Sequence, residues 1–133
     1  MNEPESQDLP ESDERFPSGP WIGYYRQGGI QSRQRLFLRF ANGKIDGEGR
    51  DPVDQFVVRG VYSTETGSAK LTKSYITYQV HYNGAADGDG IGGGWTIEGY
   101  GGLIEDRGEF RIWPDELAIE EGMHLRAEEP VKV

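Results

Sequence analysis

Cysteine is absent from the 133 residues, which excludes disulfides and thiolate metal sites and permits a reducing compartment. Histidine is nearly as scarce. His81 and His124 are the only two, too few for a convergent set of nitrogen ligands, so neither a metal nor another cofactor is expected. No apolar run approaches the roughly 20 residues of a spanning helix. The N-terminus Met1-Asn2-Glu3-Pro4-Glu5-Ser6 is acidic where a secretory signal needs a basic head and an apolar stretch, so a soluble cytoplasmic chain with no membrane role is the expectation. A basic stripe is lacking too. The net charge is −9, and residues 1–15 carry six acids against one base, residues 115–133 six against two, leaving residues 16–114 neutral. Acidic termini without a basic face repel phosphate backbones, and no nucleic-acid partner is expected.

What is present is β-sheet pattern. Residues 1–15, rich in Glu, Asp, Ser and Pro and without an aromatic residue, read as a disordered acidic arm. From Phe16 to Pro114, alternation with Val, Ile, Tyr, Phe and Trp enrichment marks about eight strands: 21–27, 33–40, 44–50, 55–62, 68–73, 76–83, 93–99 and 108–113. Asn42-Gly43 supplies a tight hairpin between the second and third strands, and the other breaks are mostly too short for crossover helices. The expected fold is all-β, a closed antiparallel up-and-down barrel over residues 16–114. The acidic segment 115–133 reads either as a short helix after Pro114 or as a loop and last strand, possible cover for the barrel.

Alternation assigns the faces. Leu36, Leu38, Phe40, Phe56, Val58, Gly60 and Tyr62 point inward, with Ile45, Gly47 and Gly49 of the third strand. Inward glycines leave room for rings from opposite strands. Outward apolar residues Ile22, Tyr24, Phe37, Val57 and Val61 suggest a surface for a homo-oligomer or for the C-terminal segment.

At Gly19-Pro20-Trp21 the sequence resembles the G-x-W that opens the first strand of the calycin superfamily, which gathers lipocalins, fatty-acid-binding proteins and the avidin group. Gly108-Glu109-Phe110-Arg111-Ile112-Trp113 is similar in style to the last strand of such barrels. The resemblance implies a barrel whose open end binds a small, often apolar ligand, with Arg111 lying over the Trp21 ring to close the base. The avidin ligand set and the lipocalin disulfide have no counterpart in this sequence.

Tyr25, Tyr62, Lys73, Tyr78, Tyr82 and Trp95 are the candidates to line a ligand cavity, rings contacting an apolar molecule and polar tips orienting it. The same rings can instead fill the barrel, and packing is the expectation. His81 alternates with the outward residues of its strand. Asp87-Gly88-Asp89-Gly90-Ile91-Gly92-Gly93-Gly94 lacks the further oxygens of a calcium loop and the lysine of a phosphate loop, and reads as a mobile hairpin loop. Asp46, Glu48, Asp51 and Asp54 fall on the charged face or in a turn, where solvation with Lys44 and Arg50 is expected. No catalytic residue is assigned. The expected function is non-enzymatic binding or protein interaction, the alternative a small apolar-ligand carrier, and an enzyme the remotest reading.

Overall fold

A computed structural model describes residues 9–121. The strands are β1 (Gly19–Gln27), β2 (Ile30–Ala41), β3 (Lys44–Arg50), β4 (Gln55–Tyr62), β5 (Ser68–Ser74), β6 (Gln79–Asp87), β7 (Gly90–Glu98) and β8 (Ile104–Pro114). Each pairs antiparallel with the next, and β1 pairs with β8, so the meander closes into an eight-stranded barrel without free edges. Asn42 and Gly43 both take positive φ at the β2–β3 hairpin, as a tight primed turn requires. No helix among the described residues is long and apolar enough to cross a membrane.

Inward parity holds as alternation predicts: Leu36, Leu38 and Phe40 of β2 and Phe56, Val58 and Tyr62 of β4 are buried. Gly47 is an interior point of close approach. A Cβ there would overlap the Phe37 carbonyl oxygen of β2, so the glycine lets the strands coil tightly.

The connections divide between two poles. The turns at 42–43, 63–67 and 88–89 share one pole with the start of β1 and the end of β8, and the connections at 28–29, 51–54, 75–78 and 99–103 share the other, the loop pole. Phe16 seals the first pole, fully buried with its ring centroid 4.8 Å from Tyr62 and 5.6 Å from Phe40. The segment before it is attached. The Glu11 amide donates to the Phe40 carbonyl at 2.9 Å, the Tyr62 hydroxyl donates to Glu11 Oε1 at 2.6 Å, and Arg15 donates to the Thr64 carbonyl at 2.6 Å. Residues 9–15 are therefore not the disordered arm expected from composition, because polar side chains bind them to the barrel; the rest of that arm, 1–8, lies outside the described residues.

Two further expectations are corrected. The glycine-rich run is β-sheet, β6 continuing to Asp87 and β7 starting at Gly90 around a Gly88-Asp89 turn, because Gly84 and Gly93, and Ala85 and Gly92, pair in register. Ile76 lies not in a strand but in the β5–β6 connection. Residues 116–121 are helical, with Asp115 accepting from the Ala118 amide at 3.1 Å, which selects the helix reading for that stretch. Met123, His124 and Leu125 lie outside the described residues.

Candidate functional site

Beneath the loop pole the interior turns polar. Gln34 follows the inward parity of Leu36 and Leu38, and Lys73 that of Ala69 and Leu71, so both are carried into the barrel and buried. Lys73 Nζ donates to Asp51 Oδ2 at 2.8 Å, to Gln34 Oε1 at 3.1 Å and to the Tyr82 hydroxyl oxygen at 3.1 Å. Those three bonds use all three protons of the ammonium. The Tyr82 hydroxyl donates to Gln34 Oε1 at 3.2 Å, and Gln34 Nε2 donates to the Tyr24 carbonyl at 3.4 Å.

Asp51 is equally occupied. Its Oδ2 also accepts from the Tyr75 hydroxyl, and its Oδ1 accepts from the amides of Val53 at 2.8 Å and Asp54 at 3.3 Å. Four rings enclose the ammonium, with centroids 4.3 Å (Tyr25), 4.7 Å (Phe56), 5.2 Å (Tyr82) and 5.4 Å (Tyr75) from Nζ. Burial pulls the Lys73 pKa down, opposed by Asp51. Burial pushes Tyr75 up, assisted by its bond to Asp51, and pushes Tyr82 up as well. The tyrosines are donors held neutral. A fully bonded ammonium offers neither a free amine nor a vacant N–H, so the cluster acts as a plug tying the 51–54 and 75–78 connections to β2, β5 and β6.

The remaining space is small. A cavity of about 20 Å³, lined by residues that include Tyr25, Val53, Lys73, Tyr78, Trp95 and Ile97, admits about one water molecule. Ligand pockets run to roughly 300–1,000 Å³.

The six cavity candidates are only partly brought together. Five border this residual space, Tyr25, Lys73, Tyr82 and Trp95 buried there and Tyr78, 39 % exposed with its ring 4.8 Å from that of Tyr75, at its outer side; Tyr62 sits at the opposite pole against Phe16. Tyr78 is not an inward strand residue, because it precedes β6. Trp21 is buried against Phe40 and donates from Nε1 to the Pro17 carbonyl at 2.9 Å. Arg111 does not cover it. It takes the outward parity between Phe110 and Ile112, and its guanidinium engages Asp87 at 2.6 Å and Asp89 at 3.1 Å.

Asp51 corrects the solvated-turn expectation, its side chain being inaccessible, whereas Asp46 and Glu48 pair outside with Arg39. His81 is half-buried on the outer face, bonded to Thr72 at 3.1 Å. Gln34, Asp51 and Tyr75 are the members that sequence reading missed. For Gln34 the signal was a polar residue on inward parity.

The expected outer apolar patch is divided by charge. Val61 lies between Lys44 and Lys70, Val57 beside Glu48, and Ile22 beside Arg35. The loop pole is more consistently apolar, since all four of its connections, or the residues bounding them, expose large side chains: Ile30, Val53, Ile76 with Tyr78, and Tyr100 with Leu103. Ile76 and Tyr100 are each 96 % exposed. Among the described residues no three His, Asp or Glu side chains converge as a metal site. No protein-family model and no curated protein matches the sequence.

Proposed function

We propose that this protein is a non-enzymatic binding module that meets its partner with the outer surface around the loop pole. The observation that carries this reading is the filled interior: a polar plug whose ammonium and carboxylate are already bonded, with a cavity of about 20 Å³ between it and the loop pole. A barrel filled in this way favours binding by its outer surface. The four connections of the loop pole support the surface reading, because exposed Ile, Leu, Val and Tyr side chains gathered at one end of a protein mark a recognition surface. Membership of the calycin group is part of the proposal, supported by the eight-stranded meander and by Trp21 in its first strand, with Arg111 a departure from that pattern.

Titration with an apolar fluorescent probe tests the interior directly. Native protein should show no saturable site that responds to Leu71→Trp, whereas Ile76→Ser with Tyr100→Ser should reduce whatever surface binding occurs without changing Tm. A one-to-one site abolished by Leu71→Trp in a folded variant would replace this reading with that of a small apolar-ligand carrier.

A further inference from the structure

Arg35 on β2 and Arg50 on β3 are direct cross-strand partners on the outer face. Like charges in that relation are destabilising. Among the described residues neither guanidinium has a carboxylate within ion-pair distance, and the nearest acid on β3, Glu48, is engaged by Arg39 at 2.9 Å. Asp54 is the other carboxylate nearby, and its Oδ1 accepts from the Gln55 amide at 2.7 Å. The pair flanks an open groove of about 880 Å³ that crosses β2, β3, β4 and the end of β5. Its apolar lining comes from Phe37, Val57 and Ile76, with the buried Leu36 and Phe56 behind them.

We propose that this groove docks a segment of a partner protein in which a carboxylate side chain stands next to a bulky apolar one. The carboxylate sits between the two guanidiniums, whose planar forks match it in bidentate fashion and whose mutual repulsion it relieves. The apolar neighbour lies along the groove against Phe37 and Val57. A protein partner fits better than a free small acid, because a groove this open leaves a small molecule largely in water, while a partner brings a body that covers the site. It fits better than an anionic bilayer as well. The β7–β8 side of the same pole exposes Glu98 and Glu105, which a flat anionic surface would meet. The proposal rests on the reading that this barrel binds with its outside, and it names the partner's chemistry.

The test uses the full chain and a synthetic probe, acetyl-Ser-Glu-Phe-Leu-Ser-amide, with amide chemical shifts followed by NMR. The expected result is saturable shifts on β2–β4, at least a tenfold loss of affinity when the probe's Glu is replaced by Gln, and an equal loss with the Arg35→Gln, Arg50→Gln variant. Val57→Ser should weaken binding several-fold. Both arginines are exposed, so the variant's Tm should be unchanged or slightly raised, which separates lost binding from lost fold. Equal affinity for the Gln probe, or no effect of the arginine substitutions, would overturn the proposal. So would arginine-dependent binding to phosphatidylserine vesicles, or arginine-dependent self-association in sedimentation, without binding of the probe. Shifts confined to interior residues would overturn the surface reading along with it, whereas shifts at Ile76 and Tyr100 alone would leave that reading standing and remove only the groove.

Discussion

Lys73 is tolerated inside the barrel because each of its protons has an acceptor and four rings surround the charge. Removing one member of a buried ion pair strands the other, so Lys73→Met should cost about 3–5 kcal/mol in denaturant melts. Combining it with Asp51→Asn should cost less than the two single changes together, and strict additivity would show that the pair is not coupled. Alkaline pH probes the same residues. Tyr25, Tyr62, Tyr75, Tyr78 and Tyr82 all have raised pKa values, burial being the largest cause, with Tyr62 at about 12. Unfolded tyrosines ionise near pH 10, so above that pH the folded state holds more protons and stability falls as pH rises toward the folded values. Lys73 has the opposite sign: its folded pKa is depressed below 10.5, so the cost of burying its charge is relieved as pH rises through that window. The lysine's window closes at 10.5, so above that pH only the tyrosine effect remains. Tyrosinate absorbance from these five should therefore appear together with loss of the barrel's circular dichroism, and full ionisation of all seven tyrosines in an intact barrel would contradict these assignments.

The segment 9–18 belongs to no strand, yet it closes a pole. Phe16→Ala should cost about 3–5 kcal/mol as a fully buried ring. Deleting residues 1–15 removes the Glu11–Tyr62 and Arg15–Thr64 bonds and should lower Tm by roughly 5 °C or more. An unchanged Tm would mean that Phe16 seals the pole unaided. This attachment was not legible in the sequence, because Glu11 and Arg15 have the composition of a solvated arm and their partners lie 51 and 49 residues away. The β2–β3 hairpin was legible, since strict alternation and Asn42-Gly43 are local signals. The β6–β7 hairpin was not: Gly84, Ala85, Gly92 and Gly93 have little strand preference of their own, and β5 and β8 on either side impose the pairing. The plug was half legible. Gln34 and Lys73 share the parity of buried leucines, but Asp51 sits before a proline in a turn, and only the return of β5 brings Lys73 to it.

At the scale of the whole molecule, an eight-stranded barrel is just wide enough to be filled by side chains or to hold one small ligand. Its glycines decide which. A Cβ at Gly49 would lie 2.5 Å from Phe56 Cζ, so that glycine accommodates a ring that already occupies the space, and Gly108 similarly admits Trp95, whose Cε2 would be 2.6 Å from an added Cβ. Glycines placed to admit rings cannot also hold a cavity open. Gly49→Val should therefore overpack the barrel, costing about 1–3 kcal/mol in denaturant melts. It should do so without changing apolar-probe binding inside, because there is no interior site to lose. A ligand carrier behaves in the opposite way: free volume absorbs the added methyl groups, stability is kept, and stoichiometric interior binding disappears. Measuring both quantities on the one variant separates the two molecules, since each predicts a change where the other predicts none. A stable Gly49→Val protein that has lost a stoichiometric interior site would show that the barrel opens in solution and that its interior binds.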